Sequence, residues 1–357
     1  MNVSQTLKKK NLLVTGSCGL VGSEIVDLLH QDFDNVYGLD NNSRKTFFGN
    51  GGDISKRKKM IQKNVKNYNH INLDIINRKK ILELVKKINP DTIVHCAGQP
   101  SHDLAAQIPF KDFDTNTVGT FNLLEASRLT SNKIKFIFLS TNKVYGDRPN
   151  TIKLAELKKR YSYKDRNYKN GIREDFSIDQ STHSLFGSSK LSADVMVQEY
   201  GKYFNMPTCC IRAGCITGPH HSGVELHGFM NYLIRSNLSK KKYTIFGHKG
   251  KQVRDNIHAK DLVYFIKFFL EKPRAGEVYN IGGGYKNSIS ILEAFDLVSK
   301  FSNIKMINEY SSINRVGDHI CYYSDLSKAQ KHYPSWEIKI SLEKIVCEII
   351  ENFRKIK

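Results

Sequence analysis

The chain lacks what would place it in a membrane, in a disulfide-stapled fold or in a zinc domain. Across its 357 residues no apolar run approaches the ~20 residues that a bilayer span needs. Its seven cysteines (Cys18, Cys96, Cys209, Cys210, Cys215, Cys321, Cys347) are scattered without C-x-x-C spacing, which argues for reduced thiols and against a structural metal. The stretch from Met1 to Lys10 is polar and basic and lacks the apolar core of a secretory signal. A cytoplasmic protein with no membrane partner is expected. Internal repeats and low-complexity linkers are missing as well. Acid is scarce: 35 Asp and Glu face 55 Lys and Arg, giving a net charge of +20. The excess is mostly lysine spread along the chain, whereas base recognition favours arginine among aromatics, so no nucleic-acid partner is expected. Only Lys56 to Lys66 forms a dense cluster, in what reads as a loop after the second strand. His220, His221 and His227 come without a Cys or carboxylate pattern, and no metal is expected.

What is present begins at Asn11 to Ser23, NLLVTGSCGLVGS, a short apolar run that breaks into three glycines and resumes as a helical pattern. Gly16 suits the tight turn after a strand, Gly19 lets a pyrophosphate reach the backbone, and Gly22 lets the helix pack closely on the sheet. Cys18, Leu20 and Val21 lie in the same turn. The next apolar run ends at Asp40, roughly 20 residues beyond the glycines, where a carboxylate can bond an adenosine ribose and disfavour a 2′-phosphate. Asn41, Ser43 and Arg44 follow it directly and are counted with the same site. This first half reads as a binding unit for NAD.

Strands and helices alternate through the N-terminal part: strand Leu12–Thr15, helix Val21–His30, strand Val36–Asp40, strand His70–Leu73, helix Arg78–Lys87, strand Thr92–His95. A helix over Thr117–Leu129 and a strand Lys135–Ser140 continue the rhythm of a parallel, doubly wound sheet. A long helix, Ser188–Tyr203, precedes a strand Thr208–Arg212. Beyond it the pattern predicts helices at Gly223–Asn237, Asp261–Leu270, Ile289–Phe301 and Leu342–Phe353, with strands at Tyr243–Phe246 and Glu277–Ile281. These pieces suggest a smaller lobe over the carboxyl ends of the strands.

Three strand or helix ends carry chemistry. The fourth run closes with HCAGQPSHD (His95–Asp103), where small residues at Ala97 and Gly98, followed by Gln99, let backbone approach a cofactor. The next closes with FLSTNKVYG (Phe138–Gly146), which sets the Ser140 and Thr141 hydroxyls at the edge where ligands bind. HSLFGSSK (His183–Lys190) follows. Together these segments resemble the extended short-chain dehydrogenase/reductase superfamily of nucleotide-sugar epimerases and dehydratases, over essentially the whole chain. The likeness includes Asp74 and Ile75, which lie by the adenine in that superfamily, and Asn116, which supports the active-site helix and is grouped with the cofactor site. STNKVYGD (Ser140–Asp147), the insert with Arg160, Tyr161, Gly171 and Ile172, GKQVRD (Gly250–Asp255) with His258, and YNIGG (Tyr279–Gly283) resemble its CDP-deoxysugar 2-epimerase branch.

The resemblance implies an α/β fold: a Rossmann-type doubly wound parallel sheet with a smaller α/β C-terminal substrate lobe. Residues 1–185 would form the NAD-binding domain with an insert at about 150–182, residues 186–212 would complete it, and residues 213–357 would be mainly the interleaved substrate lobe. NAD is implied as a tightly held cofactor. A CDP-linked deoxyhexose is implied as substrate, inverted at carbon 2 through a transient ketone. By position, Thr141 would bond the reacting oxygen, Lys190 would hold the nicotinamide ribose, and Arg254 would clamp the substrate pyrophosphate. Gln99, Ser101, Asn142, Lys143 and Cys215 would border the sugar nucleotide, and Tyr161, Tyr163 and Tyr168 offer rings to its base. A homodimer or homotetramer through Thr117–Leu129 and Ser188–Tyr203 is implied as well.

One departure matters. The superfamily's acid/base is a tyrosine four residues before the lysine, and this chain has Phe186 there. Tyr145, His183, Cys215, or Thr141 acting through water, could replace it. Alternatively the reaction differs, as a dehydration or an inversion at another carbon, or the chain binds without turnover. Thr141 is followed by Asn142 and not by the acidic pair that 4,6-dehydratases use.

Overall fold

Seven strands form the frame that positions the site: β1 (Asn11–Thr15), β2 (Asn35–Leu39), β3 (Tyr68–Ile71), β4 (Thr92–His95), β5 (Lys135–Thr141), β6 (Thr208–Ala213) and β7 (Glu277–Ile281). In the computed structural model, which describes residues 10–221, 228–313 and 317–356, they make one parallel sheet in the order β7-β6-β5-β4-β1-β2-β3. Strand order reverses between β1 and β4, which pair directly. A crevice therefore opens there at the carboxyl ends of the strands.

The near-continuous apolar runs are those of strands buried on both faces. On β5, Phe136 and Phe138 join Leu123 and Val197 on one face, while Ile137 and Leu139 join Ile25, Phe265 and Trp336 on the other. The helix Leu20–Leu29 packs beside Ala259–Glu271 on this second face. Arg78–Ile88, Gly119–Thr130 and Ser184–Phe204 cover the first.

Much of the later chain builds the smaller lobe. Helices Phe229–Leu238, Ile291–Ser302 and Leu342–Ile356 enclose a separate core around Leu233, Val298 and Ile345. Strand Val253–His258 pairs with Cys215–Thr217, just after β6, and with Ser288–Ser290 and Cys321–Tyr322. That pairing carries Arg254 to the rim of the main sheet. β7, though late in sequence, pairs with β6 inside the main sheet.

Three elements differ from the sequence expectation. The lysine-rich stretch is not a loop but the helix Ser55–Asn64. Lys, Arg, Met and Gln are good helix formers, and Ile61 alone supplies the buried anchor, so an apolar periodicity was never there to read. The long helix begins at Ser184 rather than Ser188, which makes Phe186 helical, one turn ahead of Lys190. The expected Gly223–Asn237 helix is seen from Phe229, and residues 222–227, His227 included, lie outside the described residues. Among the described residues no helix is long and apolar enough to cross a membrane, and no group of three His, Cys, Asp or Glu is placed to share a metal ion.

Candidate active site

A cleft of about 960 Å³ runs along the carboxyl ends of β1, β2, β4 and β5 and under the smaller lobe. Its first wall is the glycine turn. Gly16 has φ +63°, a left-handed conformation that glycine adopts freely, and Gly19 donates its N–H to the Gly16 carbonyl at 3.0 Å. A Cβ on Gly22 would sit 2.1 Å from that carbonyl oxygen, so only glycine lets the helix Leu20–Leu29 start against the turn. Its N-terminus thus faces the cleft, with Leu20 and Val21 in the lining. Asp40 closes the other side of the turn, accepting from the Cys18 N–H at 3.0 Å and the Asn42 N–H at 2.9 Å. Burial pushes its carboxyl up, and those two N–H bonds oppose the shift. Cys18 packs beside the Tyr68 hydroxyl. Burial, then Asp40, raises its thiol to about 11, so it stays protonated and fills space.

Asn41, Ser43 and Arg44 line the cleft next to Asp40, with the Arg44 guanidinium 4.9 Å over Phe48. Asp74 and Ile75 line it across from them, Asp74 held 3.3 Å from Lys111. Ala97, Gly98 and Gln99 bring main chain to the floor. The Gln99 side chain, however, turns inward: its amide nitrogen donates to Asp112 at 2.8 Å. Asn116 meets the same carboxylate at 3.1 Å, and Ser189 donates to it at 2.6 Å. This buried network fastens the β4 turn to the helix that carries Phe186 and Lys190.

At the end of β5, Thr141, Asn142 and Lys143 all face the cleft, opposite Phe186 and Lys190. Thr141 Oγ1 accepts the Lys143 N–H at 3.2 Å, which fixes the turn after the strand. Ser140 lines the cleft too, but its hydroxyl donates to Asp194 at 2.5 Å. Lys190 is buried, and its Nζ donates to the Leu139 carbonyl at 2.6 Å. Burial pushes its ammonium down to about 8, with Asp194 the largest opposing influence.

The smaller lobe contributes a cationic corner. Lys143 Nζ lies 2.5 Å, and Arg254 Nη2 2.7 Å, from one oxygen of Asp318. Although burial alone would raise it, Arg254 and then Lys143 hold that carboxyl well below the usual range. Two cations against one carboxylate leave a net positive corner, suited to a diphosphate. Cys215 borders it, and burial raises its thiol to about 12. Asp318 was not foreseen: its lysine partner is 175 positions away, and no local pattern marks it.

Several expected site residues stand elsewhere. Tyr145 is fully buried behind the cleft, where its hydroxyl donates to Asn280 at 2.8 Å and accepts from Arg212 at 3.1 Å. The turn Asn142–Tyr145 rotates it away from the strand edge, so it does not replace the missing tyrosine. Ser101 is buried too and caps Leu104, and Asn116 acts within the Asp112 network; neither lines the cleft. His183 sits at the start of its helix, outside the lining. Tyr163 donates to the Cys321 carbonyl at 2.7 Å and packs on Tyr323, with Tyr168 against its far side. None of Tyr161, Tyr163 and Tyr168 reaches the cleft, which removes them as a stack for a base.

A family model described as the NAD dependent epimerase/dehydratase family matches residues 12–282. CDP-paratose 2-epimerase of Salmonella typhi is 33% identical over 339 residues, covering 92% of this chain and 95% of that protein. A dTDP-glucose 4,6-dehydratase of Escherichia coli is 28% identical over 309 residues, 81% of this chain and 77% of the relative. Among solved structures, UDP-glucuronic acid 4-epimerase from Bacillus cereus, in complex with UDP-glucuronic acid and NAD, superposes with a TM-score of 0.78. It is 26% identical, with 97% of this chain and all (100%) of that one covered.

Proposed function

Because the chain belongs to the NAD-dependent epimerase/dehydratase family, we propose that it is an epimerase that inverts carbon 2 of a CDP-linked deoxyhexose through a transient ketone. The observation that carries the reading is one cleft that joins the glycine turn, the Thr141 and Lys190 edge of β5, and the Lys143–Arg254 corner. The glycine turn and the helix N-terminus behind it hold the cofactor pyrophosphate, Asp40 its adenosine ribose, and Lys190 its nicotinamide ribose. NAD, when bound, supplies reversible hydride acceptance.

Thr141 presents a hydroxyl to the reacting oxygen of the sugar. Arg254 and Lys143 grip the substrate diphosphate, so the sugar can turn about a fixed anchor and offer either face. Asn142 and Cys215 form the wall beside it. Asn142 in place of an acid at that position speaks against water expulsion.

Phe186 favours a second reading, a binder of NAD and sugar nucleotide without turnover, because a phenyl ring carries no proton. Proton NMR of CDP-paratose incubated with the protein and NAD, beside Phe186→Tyr, separates the two. We expect the wild type to interconvert the carbon-2 epimers. Turnover by Phe186→Tyr alone establishes the silent binder, and silence from both withdraws the carbon-2 assignment.

A further inference from the structure

Resting on the epimerase reading above, we propose that Lys190 itself takes and returns the proton of the reacting hydroxyl, the task a tyrosine at position 186 would otherwise perform. Phe186 and Lys190 are four residues apart on one helix, a spacing that puts both on one face, and both line the cleft. The phenyl ring offers no acceptor. Among the described residues Lys190 has no carboxylate within ion-pair distance: Asp194 is held by Arg212 at 2.8 Å, and Asp112 is taken by Ser189 and Gln99. The amine keeps one hydrogen bond, to the Leu139 carbonyl, two residues before Thr141 on the same strand, and lies 4.0 Å from the centre of the Phe138 ring. Burial disfavours the charged amine and brings it down to about 8, although Asp194 and the Phe138 ring face both favour the ammonium.

The other titratable groups in this part of the cleft are committed or inert. Lys143 is paired with Asp318, His102 lies 3.2 Å from Asp103, and burial raises both Cys96 and Cys215. In the forward step the O–H bond breaks and its proton passes to the neutral Lys190 amine, while the carbon gives up a hydride that NAD, when bound, would accept, leaving a carbonyl. In the return step the ammonium gives the same proton back as hydride comes to the opposite face. The cycle consumes no external acid, base or oxidant.

Two measurements test this. Competitive labelling with cyanate, read residue by residue by mass spectrometry on the unliganded wild type, should place the Lys190 midpoint near 8, well below surface lysines. A midpoint at the ordinary lysine value of about 10.4 overturns the proposal. Lys190→Arg keeps the charge and a donor for the ribose but cannot deprotonate. We expect it to bind NAD and lose about 10²- to 10⁴-fold in turnover, with Phe186→Tyr in the same chain restoring much of that loss. Turnover retained by Lys190→Arg overturns the proton role while leaving the epimerase reading intact. A wild type inert towards every nucleotide sugar overturns both.

Discussion

Arg212 and Asp194 form a two-point ion pair in the interior, Nη2 to Oδ1 at 2.8 Å and Nε to Oδ2 at 3.2 Å, that ties β6 to the helix bearing Phe186 and Lys190. Both side chains are buried, and Ser140 and Tyr145 hang from the same pair. Removing one partner leaves the other charge unpaired away from water. We expect Arg212→Met to cost about 3–5 kcal/mol in a denaturant titration. A loss below 1 kcal/mol would show that the pair contributes little beyond its own desolvation.

Tyr145→Phe separates stability from chemistry. The hydroxyl bridges Arg212 and Asn280 outside the cleft, so its removal should cost about 1–3 kcal/mol of stability and leave kcat unchanged. A collapse of kcat with stability preserved would return Tyr145 to the reaction.

At the glycine turn, Gly22→Ala forces a Cβ to within 2.1 Å of the Gly16 carbonyl oxygen, and the turn must shift. NAD affinity, measured by calorimetry, should fall at least about tenfold, or ~1.4 kcal/mol. The Asp40 site is probed independently with NADP. With the carboxylate gone, Asp40→Ser should bind NADP relatively better than the wild type does.

Asp318 makes a prediction about acid. Its folded carboxyl lies well below the usual value, so the unfolded chain takes up the proton first as pH falls. The stability it contributes is therefore complete above about pH 4 and drains away below that, down to its folded value. Asp318→Asn should accordingly flatten the pH dependence of the melting temperature in acid. An unchanged slope would assign the acid sensitivity to other carboxylates.

The glycine turn, Asp40 and the strand ends were legible because each is local. The turn and the carboxylate at the end of β2 lie within one βαβ unit, where spacing alone fixes geometry. The placement of Tyr145, one of several alternatives open from the sequence, was not legible for the opposite reason. Neighbourhood in a motif does not say which way a turn points a ring, and only the packing of Arg212 and Asn280 decides that. Asp318 was invisible, since Lys143 and Arg254, the partners that give it meaning, come from distant segments, and Asp112 gave no local sign that Ser189, 77 positions on, would join it. The helix Ser55–Asn64 hid because helix-forming lysines carry no apolar stripe when one isoleucine suffices as anchor.

β7 has a consequence for motion. The chain leaves the main sheet after β6, builds part of the smaller lobe, returns through the helix Ala259–Glu271 to lay down β7 beside β6, and leaves again. It comes back once more to bury Trp336 against Phe265 before the final helix. The two lobes are thus stitched together by repeated passages and do not hang on one hinge. A swing of the smaller lobe would therefore have to bend several chain crossings at once.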